Sequence, residues 1–268
     1  MKKLNLAVTL LAVITLSACT SATAPDDVDA KDAVSAQPFQ VGSQPKAGTE
    51  PTKSSAVREY FDAFASQEAE PMRAAAEDAA EGSMAQDYLV HQANIAEAYD
   101  ANGYSGEAQT ADYDNDVVNV SSPDYTTKYA DIKFDGEKVA SFTIDGKDVS
   151  ERLVVGDGEA VESSDGLVSF EVLSAYKSIS DDLFVAVKYA TDDRSMDFGY
   201  QASYRDPSGR QINDSDSVTP STIVADSYQL GIVIFPGAEI GGTMQLNYGS
   251  GDDGEFVFGD VAVPLPEK

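Results

Sequence analysis

The chain has 268 residues, with 46 Asp and Glu against 18 Lys and Arg, a net charge of −28, one histidine, one cysteine and no tryptophan. That balance excludes a nucleic-acid partner, because gripping a phosphate backbone takes clustered Lys and Arg and no cluster occurs. A single cysteine cannot close an internal disulfide, so burial alone has to hold the fold; the excess of Asp over Glu, 30 to 16, suits turn-rich β structure.

The chain opens on a targeting pattern. Lys2 and Lys3 precede an apolar run from Leu4 to Leu16 (LNLAVTLLAVITL), shorter than the roughly 20 residues that span a bilayer and of the right length for a secretory signal. Leu16-Ser17-Ala18-Cys19 then resembles the lipobox of bacterial lipoproteins. The resemblance implies a signal peptide over residues 1–18, cleavage before Cys19 and a diacylglyceryl group on the Cys19 sulfur. Each buried CH₂ contributes about 0.8 kcal/mol, and two acyl chains hold where one is marginal, so no transmembrane helix is needed. A lipidated Cys19 leaves no sulfur for a thiol nucleophile, a zinc-thiolate site or an iron-sulfur cluster. The expected location is extracytoplasmic, anchored to the outer face of the cell membrane. Residues 19–54 hold four prolines and hardly any large apolar side chain. They read as a disordered tether with a reach of about 120 Å when extended.

From residue 55 the composition changes. Val57, Tyr60, Phe61 and Phe64 fall at the spacing of one helix face. PMRAAAEDAAEG gives a second helix, with Pro71 in its first turn and Gly82 at its stop. Ser83-Met84-Ala85-Gln86 has the form of a capping box, and Met84, Tyr88, His91, Ile95 and Ala98 then share a face until Asn102-Gly103. Residues 55–101 are thus a segment of three short helices, too small for a core of its own and expected to pack on the next domain. YFDAFASQEAEPM is similar to the opening helices of the nuclear-transport-factor-2-like cone fold, a local likeness, since the strongly curved sheet of that fold is not evident here.

Residues 102–124 (NGYSGEAQTADYDNDVVNVSSPD) carry no Lys or Arg and read as an acidic linker. Asp112, Asp114 and Asp116 invite a calcium reading. The EF-hand pattern fails, with Val117 where the turn glycine belongs and Pro123 where the bidentate Glu belongs, which leaves a solvated loop.

Residues 125–268 are expected to be β throughout. YADIKFDGEKVASFTIDG has alternating runs around Asp135-Gly136 and a second Asp-Gly at 145–146, the strongest short hairpin signal. Strands are then expected at 166–176, 182–191, 196–206, 221–226, 228–235, 242–248 and 255–263. Leu183, Val185, Val187 and Tyr189 share one face, as do Phe198, Tyr200, Ala202 and Tyr204. Short strands at turn spacings of about ten residues, with no helix between them, give a mainly β fold: a two-layer antiparallel sandwich preceded by the helical segment.

VSFEVLSAY, FVAVKYA, DFGYQASYRDPSGRQI and YQLGIVIFPGAEIGGTMQLNY, within about residues 153–266, together resemble the immunoglobulin-like family of secreted and lipid-anchored bacterial proteins that includes a small immunoprotective antigen of mycobacteria. The resemblance implies an immunoglobulin-like sandwich, an actinobacterial lipoprotein, and a role in binding or surface display without catalysis. The tryptophan and cysteine pair of antibody domains are missing, so aliphatics, Phe and Tyr must fill the core.

Material for catalysis is thin. His91 could serve as a general base but sits on the apolar face of its helix, where a packing role with one hydrogen bond is expected. No G-x-S-x-G elbow supplies a serine for a triad. Paired carboxylates are available for glycosidase chemistry, though no pair stands out among 46. Tyr189, Tyr200, Tyr204, Tyr228 and Tyr248 suit a sandwich core or a recognition face. Gly249 to Gly254 (GSGDDG) reads as a hairpin loop, since it lacks the lysine and following helix that cradle a phosphate. The expectation is therefore a lipid-anchored envelope protein presenting a binding module, with no enzyme activity, cofactor, metal or catalytic residue, and an envelope protein or glycan as ligand. The alternatives are a wall-glycan hydrolase acting through carboxylates and an accessory subunit of a membrane complex.

Overall fold

The computed structural model describes residues 53–199, 201–250 and 257–267. The expected signal peptide, Cys19, the tether up to residue 52, Tyr200 and most of the GSGDDG turn lie outside the described residues. The fold is mainly β, with antiparallel sheets and three helices.

Helix α1 spans Lys53–Ser66, α2 Ala69–Asp78 and α3 Met84–Ala101. Ser83 caps α3 by accepting from the Gln86 amide at 3.3 Å, while the Gln86 side chain accepts from Gly82 N–H at 2.8 Å, close to the expected capping box. Helix α2 stops at Asp78, short of Gly82, because the buried Ala80 turns its N–H to the carbonyl of Val139 at 2.9 Å.

The helices have a sheet of their own, which corrects the acidic linker expected over 102–124. Strands β1 (Thr110–Asp114) and β2 (Val117–Ser121) form a hairpin there. They continue into β3 (Thr126–Asp135), β4 (Lys138–Ile144) and β5 (Lys147–Asp148) as an antiparallel five-stranded sheet in chain order. Asp112 and Asp114 alternate with the half-buried Ala111 and Tyr113, so the acids face solvent and only the composition resembles a loop. Asp145 and Gly146 both have positive φ, 48° and 77°, as the primed hairpin turn between β4 and β5 requires. At the β3–β4 turn the pairing of Asp135 with Lys138 puts Gly136 and Glu137 at the tip.

Against this sheet the helices bury an aromatic core. Phe142 of β4 meets the rings of Tyr60, Phe61, Tyr88 and Tyr129, with centroids 5.7, 5.6, 5.5 and 5.6 Å away at edge-on or tilted angles. Each such pair contributes about 0.5–1.5 kcal/mol beyond its area. Tyr60 also donates its hydroxyl to the Ala85 carbonyl at 2.7 Å, tying α1 to α3.

Two further sheets follow among the described residues. One joins β14 (Tyr228–Phe235), β9 (Leu183–Thr191), β8 (Val168–Lys177) and β6 (Leu153–Val155), with β7 (Ala160–Glu162) also on β8. The other joins β12 (Gln211–Asn213), β11 (Ser203–Arg205), β15 (Thr243–Ser250), β10 (Met196–Phe198) and β13 (Thr222–Ile223), with β16 (Val257–Pro264) along β15. Phe170, Val185, Val187, Tyr189 and Val233 from the first share a core with Met196, Phe198, Tyr204, Met244, Leu246 and Val263 from the second. The single strand expected at 196–206 is two, because Gly199 N–H goes to Asn247 and Ala202 N–H to Asp214 between them; both halves still pair with β15. The strand expected at 221–226 shrinks to Thr222–Ile223.

Strand β9 is buried on both faces: Val185 and Val187 in that core, Phe184 and Ala186 against α3 with Leu230, Ile232 and Ile234 of β14. Strand β8 does the same through a bulge. Val168, Phe170 and Val172 point into the two-sheet core, the register slips between Val172 and Ser174, and Ala175 resumes inward. An extra residue in one strand reverses the faces beyond it. Ser174 and Tyr176 are thereby presented to α3.

Gly156 makes the bulge possible. Its N–H donates to Leu173 at 2.9 Å, and a Cβ there would lie 1.7 Å from the Val172 carbonyl oxygen. Gly156→Ala is therefore expected to destabilise the protein by about 1–3 kcal/mol, lowering the midpoint of thermal unfolding followed by circular dichroism by several degrees. An unchanged midpoint would show that the strand crossing at the bulge does not depend on the missing side chain.

Candidate functional site

Where α3, β3 and the end of β8 meet, they enclose a cleft of about 180 Å³. Helix α3 supplies Tyr88 and Gln92, one turn apart. Strand β3 and the residue before it supply Tyr125, Thr127 and Tyr129, which share a face because strand side chains alternate. The bulge of β8 delivers Tyr176, and the chain beyond it adds Ser178 and Ile179. Phe64, Gln67, Gln109 and Ile144 complete the wall. Gln109 is fixed at the head of β1 by its N–H to Ala65 at 2.7 Å, and its side-chain amide donates to the Tyr125 hydroxyl at 3.3 Å.

The lining holds no carboxylate, imidazole, ammonium or guanidinium group, in a chain of net charge −28. Two cations work from behind it instead. Lys147 donates to the Ile179 carbonyl at 2.7 Å, and Arg152 donates to the carbonyls of Lys177 and Ser178, which fixes the rim loop. Burial holds the phenols of Tyr88 and Tyr129 far above the ordinary tyrosine range. It pushes Tyr176 up to about 12, with Arg152 pulling weakly the other way. All three are neutral O–H groups at physiological pH, each able to donate and accept. Tyr125 is 51% exposed. Gln92 and Thr127 add an amide and a hydroxyl to the lining. The arrangement can bind through rings, amides and hydroxyls, and has no group in the cleft to move a proton near neutral pH.

His91 is fully buried at the junction of α3 and β8, sharing a 2.8 Å hydrogen bond with Ser174 through Nδ1, while Nε2 has no partner. Its ring lies 5.7 Å from that of Tyr176, so the expected packing role with one hydrogen bond holds. Asp112 and Asp114 sit on the outer face of β1 and Asp116 in the turn after it; no group of three metal-ligating side chains occurs among the described residues. Tyr189, Tyr204 and Tyr248 are core residues, whereas Tyr228 is 61% exposed under the Lys188 ammonium. Glu151, Glu239 and Glu267, all exposed, border a second cleft of about 300 Å³, where Lys177 donates to Glu239 at 2.6 Å.

The sequence reading missed the first cleft. Its one legible sign was Tyr125, Thr127 and Tyr129 at alternate positions, which set two tyrosines on one face of a strand.

No family model and no curated protein matches the chain. Among solved structures, the GAE domain of GGA2p from Saccharomyces cerevisiae aligns with 40% of this chain and 96% of its own, at 6% identity and a TM-score of 0.27. A likeness that loose carries no argument about this chain.

His91 predicts an acid sensitivity. Burial lowers its pKa to about 3 in the folded state, against about 6.5 unfolded. Between those values the unfolded chain binds a proton that the folded one does not. Stability is therefore complete above about pH 6.5 and falls as the pH drops toward 3, by up to about 1.4 kcal/mol per unit. Relative to wild type, His91→Asn should gain about 2 kcal/mol between pH 7 and pH 5 in urea unfolding. Parallel profiles for the two proteins would exclude the histidine as the source.

Proposed function

We propose that this is a lipid-anchored protein of the bacterial cell envelope, held on the outer face of the membrane by a diacylglyceryl group on Cys19. It presents a binding module and carries out no catalysis of its own. The observation that carries the binding reading is the uncharged cleft of tyrosines and glutamines, built where three elements converge and lacking an acid or base. Pockets of this type, apolar walls with a few convergent polar groups, are what fixed ligand recognition uses. The two antiparallel sheets that share one core support an immunoglobulin-like reading of the C-terminal region, in keeping with its resemblance to the secreted immunoprotective-antigen family of mycobacteria. Anchoring rests on Leu16-Ser17-Ala18-Cys19 and the apolar run before it.

One observation favours a second reading. Glu151, Glu239 and Glu267 together border the second cleft, and a hydrolase of wall glycan would act from there.

Growth on radioactive palmitate should label the wild-type protein, and Cys19→Ala should abolish the label and release the protein into the medium. A labelled Cys19→Ala variant, or one retained in the membrane, would remove the anchor. Incubated with purified wall, the soluble part should release no fragments. Release that disappears in Glu239→Gln would replace the binding reading with the hydrolase.

A further inference from the structure

Resting on the binding reading above, we infer that the cleft between α3, β3 and the end of β8 is a subsite for one unit of a neutral saccharide. Charge argues first. The lining has no ionic partner for a charged ligand, and two cationic groups beside the rim, Lys147 and Arg152, are engaged with its carbonyls. An anion would enter unpaired into the field of a strongly acidic protein, and a cation would find no carboxylate on the wall.

The groups available are those that recognise sugars. Gln92 and Thr127 bring an amide and a hydroxyl to the lining. An amide can donate to one sugar hydroxyl and accept from its neighbour, a match for vicinal hydroxyls. The Tyr176 phenol at the inner wall adds a further donor and acceptor. Tyr125 is half exposed at the mouth and is oriented through its hydroxyl by Gln109, offering an aromatic face on which the C–H side of a pyranose can lie. Size argues next. The cleft is about 180 Å³, below the roughly 300 Å³ at which drug-sized pockets begin, so it takes one ring and leaves the rest of a chain outside. The open mouth at Tyr125 and Ile179, 51% and 36% exposed, allows that exit.

The test uses the full mature lipoprotein in phospholipid nanodiscs and saturation-transfer NMR with maltotriose, mannotriose and chitotriose. At least one should receive saturation on its ring protons. Gln92→Ala and Tyr125→Ala should each weaken that binding about tenfold, the loss of one hydrogen-bonded or stacked contact. Both side chains reach the surface, so the unfolding midpoint should hold. Trigalacturonate and fully deacetylated chitotriose should bind more weakly by a similar factor. No transfer to any neutral trisaccharide at millimolar concentration, transfer unaffected by both substitutions, or equal binding of the charged trimers would each overturn the saccharide site. A photo-crosslinking amino acid in place of Ile179 separates this inference from the reading beneath it. Capture of one reproducible protein neighbour in intact cells would overturn the saccharide and leave a binding module standing.

Discussion

Helix α3 is buried on two faces, and the rest of the molecule is arranged around that fact. Ala85, Leu89 and Ala93 enter the aromatic core shared with the first sheet, while Ala98, with Ile95 and Tyr99 beside it, lies on β9 and β14. Of its residues only Asp100 and Ala101 are exposed. A helix enclosed in this way loses the one-sided pattern of a surface helix and cannot be separated from either neighbour without exposing apolar area. Its end is tied down as well: Asn102 donates to the carbonyls of Ala98 and Leu230, and Gln229 of β14 donates to the Ala101 carbonyl at 2.6 Å, one that the helix leaves open.

The bulge in β8 is the counterpart of that helix. With regular alternation after Val172, Ser174 would face the two-sheet core and Ala175 the helix. The slipped register exchanges them, so that a serine meets His91 and a tyrosine meets Tyr88, with ring centroids 5.4 Å apart. The same displacement brings Tyr176 to the wall of the cleft. One backbone irregularity, admitted by the bare Cα of Gly156, thus serves both the packing of the helix and the shape of the candidate site.

Charge is distributed to the same end. The acidic residues of β1 are turned outward, and the cations near the cleft are directed to backbone carbonyls on its far side. What remains in the wall is neutral and aromatic, a local environment opposite to the composition of the chain. The unpaired Nε2 of His91 is the conspicuous exception to polar satisfaction in this region; it makes the helix–sheet junction sensitive to acid because the ring cannot be charged where it lies.

The sequence by itself determined the elements that rest on local chemistry. The three helices come from apolar spacing and the Ser83 cap, the β4–β5 turn from Asp145-Gly146, β9 from the alternation of Leu183, Val185, Val187 and Tyr189, and β14 from its apolar run. All of these lie within a few residues of their expected places, since the preferences that set them act over one turn or one strand. Composition misled where the acids of 102–124 hid an alternation with half-buried partners, and where 196–206 alternated well enough to read as one strand. The tertiary structure decided the rest: that residues 110–148 form a sheet for the helices, that β8 slips by one residue, and that Tyr88, Tyr125 and Tyr176 meet. Those three lie on a helix, at the head of one strand and at the end of another, far apart in the chain. Only packing brings them together, because a bulge and a two-faced helix are set by what each backbone meets, which no local pattern encodes.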